Sequence, residues 1–424
     1  MSAGRRAGVS RRTQPTRRKV ATEPLPTELI ELEVGPVAHG GHCVARMADG
    51  RVVFVRHTLP GERVRARVTE TGPKFWRADA VEVLDASADR VESVWPEAGP
   101  GGVGGGELAH VRLDAQRAWK SAVLTEQLSR LARIDREVPV DGMPGDDGLG
   151  WRTRVSFVAD AEGRLGMRKF RSHQVLALDS MPLMSEELAG LGLLDRRWSA
   201  GVTVDAVAPA GGDAPLVLVE GQPFDLRKGK ADPRPNARNA VREVVGDWQY
   251  RVAAEGFWQV HRQAPGALVD AVLSGVGEAS TVLDLFSGAG LFSLPLADRV
   301  GTSGRVVAVE GDARAVKDAR RNAHDRPQIE LHQGDVGAVL GSLGVLDGVD
   351  AVVLDPPRVG AGREVVQAVA ALDPGRIVYV ACDPAALARD VAYLGEEGYQ
   401  LQDVRGYDLF PMTHHVEAVA VLAR

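Results

Sequence analysis

From Ala254 onward the chain alternates short apolar strands with helices, and this alternation restricts the possible folds more than any other pattern in it. It predicts an α/β fold with a doubly wound, mostly parallel sheet. The predicted strands are apolar, β-branched runs: Val282–Phe286, Arg305–Val309, Ile329–Leu331, Ala351–Leu354 and Ile377–Ala381. Ligands of such sheets bind at the carboxyl ends of the strands. The candidate site residues at those ends are Phe286, Glu310, Asp335, Asp355 and Cys382.

A glycine-containing turn, Ser287–Gly290, follows the first of these strands, and Glu310 comes 22 residues after Gly288. Glycines let a ligand approach the backbone, and an acidic residue at this spacing can hold both ribose hydroxyls. Dehydrogenases and methyltransferases share this pattern. Because Leu291–Ser293 follow in place of the third glycine of a dinucleotide fingerprint, a pyrophosphate has less room. We therefore expect S-adenosylmethionine as the cofactor.

Two further carboxylates complete the expected site. We expect Asp335 to face the adenine and Asp355 to face the methionine end or the target base. Each also fits a turn-forming or helix-capping aspartate, but their recurrence at successive strand ends favours binding. Asp355 opens Asp-Pro-Pro-Arg, whereas methyltransferases that act on exocyclic amines often have an aromatic residue in the fourth position. Arg358 cannot replace that ring simply, but it can pair with a phosphate or a base oxygen.

Cys382 directly follows the strand Ile377–Ala381 and precedes a predicted helix. Asp383 is the expected N-cap of that helix, and Pro384 is its first residue. The partial positive charge of a helix N-terminus favours thiolate, so we expect a cysteine pKa below the reference of about 8.5. The negative charge of Asp383 is expected to oppose thiolate formation. The alternative is that Cys382 is a small core residue.

A nucleophilic cysteine suits methylation at carbon 5 of uracil, which is too weak a nucleophile to take a methyl group directly. Thiolate attack at carbon 6 produces an enolate whose carbon 5 can react, and a base must then remove the carbon 5 proton. The base candidates open the last predicted strand, where His415 and Glu417 share one face. His415 alone also fits a structural hydrogen-bonding residue. Glu417 begins an otherwise apolar strand, where burial of a carboxyl is costly unless the group has a partner or a function.

The N-terminal part has a different pattern. Short β-like segments separated by glycine turns between Glu28 and Asp85 predict a small closed barrel, a type that often binds single-stranded nucleic acid. An arginine-rich segment before it predicts a disordered arm that contacts phosphates or is only solvated. The predicted domains are a basic arm (1–26), a barrel (27–85), a central α+β domain (86–250) and an S-adenosylmethionine-binding domain (251–424).

Composition excludes several classes of protein. Two cysteines, Cys43 and Cys382, are too few for a disulfide framework or a multi-cysteine metal site, so we expect a reduced, cytoplasmic setting. No apolar run approaches the roughly 20 residues that span a bilayer. The net charge of −6 gives no overall sign of nucleic-acid binding.

The barrel region resembles a TRAM domain. The resemblance rests on Gly40–His42, Val52–Val55, Leu59–Glu62 and a basic strand followed by Lys74, Trp76 and Arg77. It implies an RNA-binding barrel. Cys43 lies at a turn where TRAM domains usually carry glycine, and we interpret it as structural.

Four motifs resemble those of the RNA uracil-5 methyltransferase family, specifically its TRAM-containing branch. They are Phe257–Val260, Asp355–Ala361, Ala381–Asp390 and His415–Glu417. The resemblance implies that Cys382 is the nucleophile and Glu417 the proton acceptor, with Asp355 also in the catalytic site. It implies a cofactor and target-base site lined by Gln259, Phe286, Gly288, Glu310, Asp335 and Asp355.

The chain departs from that family's pattern at several positions. Asp383 stands where asparagine is more usual, and Met412 and His414 are atypical. Members of the branch often hold an iron–sulfur cluster on cysteines. At or near those positions this chain has Trp95, Val103, Gly106 and Met181. We therefore predict no iron–sulfur cluster and no metal site.

Together these features predict an S-adenosylmethionine-dependent RNA methyltransferase that makes 5-methyluridine through a covalent adduct of Cys382. RNA is the expected partner, with no membrane and no obligate protein partner. Ribosomal RNA is favoured over transfer RNA, because the TRAM module is more typical of the ribosomal branch. One alternative is a noncatalytic RNA-binding or assembly factor that retains the fold. The other is a methyltransferase acting at another base or atom, although a 5-methylcytosine enzyme would usually have a second active-site cysteine.

Overall fold

The computed structural model describes residues 24–234, 236–343 and 348–424, so residues 1–23 of the predicted basic arm lie outside it. It begins with a closed barrel of five strands: β1 (Ile30–Ala38), β2 (His42–Arg46), β3 (Val52–Arg56), β4 (Arg63–Glu70) and β5 (Phe75–Asp85). Their order around the barrel is β1-β2-β3-β5-β4, with β3 and β5 parallel. Alternate side chains fill the interior, including Val53, Val55 and Val64. The predicted barrel is confirmed.

Cys43 belongs to the core of this barrel. Its side chain is fully buried, and its thiol contacts the carbonyl oxygen of Thr58 at 3.7 Å. Burial raises the pKa of the Cys43 thiol to about 12. The residue is therefore structural, as predicted.

The middle of the chain forms a mostly antiparallel sheet with short helices. A 3₁₀ turn (Pro96–Ala98) and α1 (Leu113–Gln127) come first, and α1 continues into a π-helical turn (Leu128–Ala132). The next elements are β6 (Val140–Gly142), β7 (Arg154–Ala159), β8 (Leu165–Arg168), β9 (Val175–Ala177), α2 (Glu186–Ala189), β10 (Thr203–Val207), β11 (Leu216–Val219), β12 (Gln222–Asp225), β13 (Lys230–Ala231), β14 (Ala240–Val245) and β15 (Trp248–Ala253). Seven of these strands form a sheet in the order β13-β12-β11-β10-β7-β8-β9, and β14 and β15 form a hairpin.

The C-terminal part is the predicted α/β sheet. Its elements are α3 (Ala264–Val276), β16 (Thr281–Leu285), α4 (Ser293–Val300), β17 (Arg305–Glu310), α5 (Ala313–Asn322), β18 (Ile329–Gln333), α6 (Val336–Ser342), β19 (Ala351–Leu354), α7 (Gly362–Ala371), β20 (Arg376–Ala381), α8 (Pro384–Glu396), β21 (Gln400–Asp408) and β22 (Glu417–Ala423). The strand order is β18-β17-β16-β19-β20-β22-β21-β6. The strands from β18 to β20 are parallel, and β22 runs antiparallel to both of its neighbours.

Helices cover both faces of this sheet, and the two-residue period of the strands divides their side chains between two cores. In β16, Val282 packs with residues of α3 and α4, whereas Leu283 packs with residues of α6, α7 and α8. Both side chains are fully buried. This explains why the strands read as continuous apolar runs and why a polar residue inside one of them stands out.

Two elements of the predicted central domain pack on the C-terminal sheet. β6 pairs in parallel with β21, and the ammonium group of Lys120 in α1 pairs with the Asp408 carboxylate at the end of β21, both fully buried. The boundary that we place at residue 250 falls within β15. The domain limits therefore remain a proposal. Among the described residues, no helix is both long enough and apolar enough to cross a bilayer.

Candidate active site

The candidate residues meet at one edge of the C-terminal sheet. The parallel strands β16, β17, β19 and β20 all end there, which brings Phe286, Glu310, Asp355 and Cys382 to the same side. Because β22 is antiparallel to β20, its first residue, Glu417, lies at that edge too. The pairing of Ala381 with Ala418 places the cysteine and the glutamate at neighbouring strand ends.

The turn after β16 has an unusual backbone. Phe286 has a φ of 64°, a left-handed conformation that non-glycine residues rarely adopt. The N–H groups of Phe286 and Ser287 both donate to the Val309 carbonyl oxygen, at 2.9 and 3.1 Å. Gly288 also has a positive φ, of 55°, and a Cβ added there would meet open space within the described structure. The turn therefore leaves an open position beside its backbone, as a nucleoside site requires.

Glu310 is held at the edge of this turn by two backbone N–H groups. One carboxylate oxygen accepts from Gly288 at 2.8 Å, and the other accepts from Asp312 at 2.7 Å. These contacts fix the carboxylate while each oxygen keeps a second lone pair for a ligand hydroxyl. The predicted spacing of the glycine turn and the acidic residue thus corresponds to a direct contact.

Asp284 is a member of the site that we did not single out from the sequence. It is a fully buried carboxyl near the carboxyl end of β16 and accepts a hydrogen bond from the Ser293 hydroxyl. Burial raises its pKa to about 7, the Ser293 hydrogen bond lowers it, and Glu310 raises it further. The available signal was an aspartate within an otherwise apolar strand, which is costly without a partner or a function.

Carboxyl groups dominate the electrostatics of this edge. Burial, Asp284 and Glu310 raise the pKa of Asp355 to about 7. Burial and Asp355 raise the pKa of Glu417 well above its ordinary value, and only Arg358 opposes them. A site with several acidic groups and little positive charge favours a cationic ligand.

The predicted lowering of the Cys382 pKa was wrong. Burial, Glu417 and Asp355 raise the pKa of the thiol to about 12, and Arg358 opposes them. The helix N-terminus does not compensate, because the Asp383 carboxylate already accepts the N–H groups of Ala385 and Ala386, at 3.0 and 2.8 Å. The N-terminal donors that would have favoured a thiolate are therefore satisfied by the N-cap.

Asp383 also has a partner that the sequence did not suggest. Its second carboxylate oxygen lies 3.3 Å from Nε2 of His39, at the end of the barrel strand β1. Burial opposes ionisation of Asp383, but His39 and the N–H groups of Ala386 and Ala385 outweigh it and lower the pKa of the carboxyl. Asp383 is therefore ionised, with His39 at one carboxylate oxygen and the N–H groups of α8 at the other. The carboxyls that raise the pKa of Cys382 are Glu417 and Asp355.

The loop that carries Arg358 is fixed by α8. The fully buried Asp390 carboxylate accepts hydrogen bonds from the Tyr379 hydroxyl at 2.6 Å and from the N–H of Ala361 at 2.8 Å. Arg389 donates to the Val359 carbonyl oxygen at 2.7 Å. The end of the Ala381–Asp390 motif thus orients the loop beside Cys382, a role that the sequence analysis did not assign.

The segment before Glu417 is held from outside the sheet. Met412 has a φ of 65°; its N–H donates to the Gln116 side chain at 2.7 Å, and its carbonyl oxygen accepts from Leu108 at 2.9 Å. The ring centroids of His414 and His415 lie 4.1 Å apart. Burial lowers the pKa of His415 to about 3, and His414 and Arg358 lower it further. His415 is therefore neutral, and Glu417 remains the better candidate for the base.

Two predicted cofactor residues have other contacts in the structure. Asp335 is exposed and caps α6, accepting the Ala338 N–H at 3.0 Å, although it follows β18 beside Glu310. Gln259 is buried and lines a pocket with Trp258, His261 and Glu243. Phe257, beside it in the sequence, is 77% exposed. Their cofactor roles remain proposals.

At the positions where the family resemblance would place cluster cysteines, this chain has packed residues. Trp95, Val103 and Met181 lie in one apolar core, and a Cβ added to Gly106 would come within 2.8 Å of the Trp95 ring. Within the described ranges, no group of histidine, cysteine, aspartate and glutamate side chains is arranged to hold a metal. The prediction that the protein has no iron–sulfur cluster stays a prediction.

Comparisons with protein families match three parts of the chain. The TRAM domain family matches residues 27–81, and a family described as methyltransferase domain matches residues 282–357. A family described as tRNA (Uracil-5-)-methyltransferase matches residues 346–424. The last match contains Asp355, Cys382 and Glu417.

Relatives match over nearly the whole chain. A protein of Streptomyces coelicolor named as an uncharacterized RNA methyltransferase is 46% identical, covering 97% of both chains. One of Bifidobacterium longum with the same description is 40% identical, covering 98% of this chain and 99% of the relative. The crystal structure of the Pyrococcus abyssi tRNA (uracil-54, C5)-methyltransferase with S-adenosyl-L-homocysteine matches with a TM-score of 0.70 at 22% identity, covering 93% of this chain and 100% of the other. At that identity, the likeness concerns the fold.

Proposed function

Because the chain belongs to the TRAM-domain-containing family of class I, S-adenosylmethionine-dependent RNA uracil-5 methyltransferases, we propose that it methylates carbon 5 of a uridine in RNA. The observation that carries this proposal is the pair formed by Cys382 and Glu417 at one edge of the sheet. A nucleophile and a proton acceptor are the two groups that methylation at carbon 5 requires. Their strands adjoin through the pairing of Ala381 with Ala418.

The residues at the carboxyl ends of β16, β17 and β19 fit the cofactor. Glu310 is placed to accept the ribose hydroxyls, and Gly288 leaves space beside the backbone. Asp355 is proposed to contact the methionine end and Asp335 the adenine. Phe286 and Gln259 complete the proposed site. The cofactor supplies the methyl group on a positively charged sulfur, and the crowded carboxyls favour such a cation.

The proposed reaction uses both residues of the pair. The Cys382 thiolate adds to carbon 6 of uracil, which makes carbon 5 nucleophilic enough to accept the methyl group. Glu417 then takes the proton from carbon 5, and the bond between sulfur and carbon 6 breaks to release the product and the thiolate. Both groups bind their protons tightly in the structure described, so positive charge bound nearby would activate both.

A basic and aromatic surface on the barrel supports RNA as the substrate. The Phe54 and Phe75 rings contact each other edge to face with centroids 5.3 Å apart, and the Arg77 guanidinium lies 5.2 Å from the Phe75 ring. Arg171, from the loop after β8, pairs with Glu70 of β4 and brings its charge to the barrel. Rings and guanidinium groups together stack on bases and neutralise phosphates.

We propose ribosomal RNA as the preferred substrate and the cytoplasm as the place of action. The argument for ribosomal RNA is the TRAM module, and it is one of analogy. The Pyrococcus abyssi neighbour is named for its action on transfer RNA, so transfer RNA is the direct competitor. The noncatalytic alternative does not explain why a buried carboxyl with a raised pKa is placed beside a cysteine.

Nucleoside mass spectrometry of ribosomal and transfer RNA from cells with and without the gene tests this proposal. We expect one 5-methyluridine site to be lost from ribosomal RNA, and expression of the wild-type gene to restore it. Loss from transfer RNA instead would correct the substrate but keep the reaction. An unchanged 5-methyluridine profile in both RNA classes would contradict the proposed function.

A further inference from the structure

The N-terminal barrel reaches the residue that follows the proposed nucleophile. His39 lies in the turn between β1 and β2, and its Nε2 is 3.3 Å from one carboxylate oxygen of Asp383. The other oxygen of Asp383 accepts the N–H groups of Ala385 and Ala386 in the first turn of α8. A single carboxylate therefore joins the barrel to the helix that begins beside Cys382.

A second contact places the same turn against the segment before Glu417. A Cβ added to Gly41 would lie 3.1 Å from the side chain of His414. His414 in turn lies 3.5 Å from the Glu107 carboxylate. The turn from His39 to Gly41 therefore fits between the start of α8 and the segment that leads to Glu417, so the barrel forms one wall of the proposed active site.

The contact has an electrostatic consequence for the thiol. The groups that act on Cys382 are the Glu417 and Asp355 carboxyls, which disfavour its thiolate, and Arg358, which favours it. Without its barrel partner, the Asp383 carboxylate would keep its negative charge beside the sulfur with one hydrogen-bond donor fewer. It would also lose a contact that holds it in the capping position.

We propose that His39 is a positioning residue for the nucleophile: it holds Asp383 through Nε2, so that docking of the barrel sets both the geometry and the reactivity of Cys382. This inference rests on the proposed function. It gives the barrel a part in the chemical step in addition to RNA binding. Loss of His39 should therefore lower the rate at saturating RNA, whereas loss of an RNA contact should weaken binding.

The test compares full-length wild type with His39→Ala, His39→Gln, Asp383→Asn and the His39→Ala/Asp383→Asn double variant. The rate of adduct formation with 5-fluorouridine RNA is measured at saturating RNA from pH 6.5 to 9.5. We expect His39→Ala to be roughly two- to fivefold slower at pH 8, with its pH profile displaced to higher pH, as loss of one partly exposed hydrogen bond to a carboxylate implies. Its affinity for RNA should stay within about twofold of wild type.

Two rescues distinguish positioning from a general structural role. His39→Gln keeps an N–H donor toward Asp383 and should recover most of the rate. In the double variant, asparagine still caps α8 but carries no charge, so the pH profile should return toward that of wild type. A matched control is Arg65→Ala, which removes a barrel ion pair with Glu82 (3.0 Å) and should change nothing.

The inference is overturned if His39→Ala has the wild-type pH profile and rate, or if the double variant is as slow as His39→Ala. Labelling of Cys382 with iodoacetamide, followed by peptide mass spectrometry over the same pH range, gives a readout that needs no methyl transfer. Cys43 is fully buried and should stay unlabelled in the folded protein. If wild type formed no adduct with the RNA, the proposed function would fail, while the labelling profiles would still decide the role of His39.

Discussion

The Glu417 carboxyl lies close enough to the Cys382 thiol to raise its pKa, although Glu417 begins β22 and Cys382 follows β20. Burial and nearby carboxyls favour the protonated forms of both groups in the structure described, so neither is ready to react. The arrangement suits an enzyme whose nucleophile and base become active only when a cation binds among these acidic groups.

Replacement of the proposed nucleophile should abolish covalent chemistry. Cys382→Ala should form no adduct with 5-fluorouridine RNA, as judged by denaturing gel electrophoresis, and should lose methyl transfer from labelled S-adenosylmethionine. Cys43→Ala is the matched control, because that thiol is buried in the barrel and should be dispensable for the adduct. Normal turnover by Cys382→Ala would rule out the covalent mechanism.

Replacement of the proposed base should trap the reaction. In Glu417→Gln the thiolate can still add to carbon 6, but removal of the carbon 5 proton stalls, so a covalent complex with ordinary RNA should accumulate. Glu396→Gln, an exposed position on α8 that pairs with Arg363, is the control and should turn over normally. If Glu417→Gln turned over at the wild-type rate without trapped RNA, another group would have to be the base.

Asp284 makes stability depend on pH. Its carboxyl binds its proton more tightly in the folded protein, with a pKa of about 7, than in the unfolded chain, with a pKa of about 3.9. The stabilisation is complete below the unfolded value and is lost as the pH rises through about 7. Asp284→Asn keeps a neutral side chain, so it should match wild type near pH 4 and be more stable at pH 8, by up to about 4 kcal/mol.

Urea unfolding of wild type and Asp284→Asn across that pH range measures this difference. Asp325→Asn, at an exposed position, should give a curve parallel to that of wild type. Parallel curves for Asp284→Asn and wild type would mean that the buried carboxyl is ionised at neutral pH.

Asp390 should be important for stability and for the loop that carries Arg358. Removal of this buried carboxylate leaves the Tyr379 hydroxyl, the Ala361 N–H and part of the Arg389 guanidinium without their partner. We expect Asp390→Ala to lose about 3 kcal/mol of unfolding free energy in urea titrations. Glu364→Gln, exposed at the start of α7, should change it by less than about 0.5 kcal/mol.

The protein should contain no iron–sulfur cluster. Trp95, Val103, Gly106 and Met181 provide no thiolate, and three of them are already packed in an apolar core. Iron and sulfide analysis of anaerobically purified protein should find neither element. Stoichiometric iron would contradict this prediction.

The fold could be predicted from local patterns. Apolar runs alternating with helices predicted the parallel sheet, and short segments between glycine turns predicted the closed barrel. In both cases the pattern along a few residues reports which face is buried, and burial of apolar surface decides the architecture. The strand ends followed from the same pattern, so the gathering of Glu310, Asp355 and Cys382 at one edge was predictable.

The chemistry of the site was only partly predictable. A sequence places Cys382 at the start of a helix, but it does not show that Asp383 satisfies the helix N-terminus or that Glu417 and Asp355 lie against the thiol. The pKa of the Cys382 thiol is therefore raised, whereas the sequence predicted that it would be lowered. Burial and the distances between charges are properties of the folded chain, and they outweighed the local effect of the helix.

The residue types at the strand ends and the order of the elements were determined by the sequence alone, because both depend on neighbours in the chain. Tertiary structure alone decided that His39 meets Asp383, that Asp390 holds the loop of Arg358, and that Asp284 and Glu417 lie close enough to Asp355 for their charges to interact. These contacts join residues far apart in sequence. No local pattern encodes them, since they arise only when the barrel, the sheet and the last strand pack together.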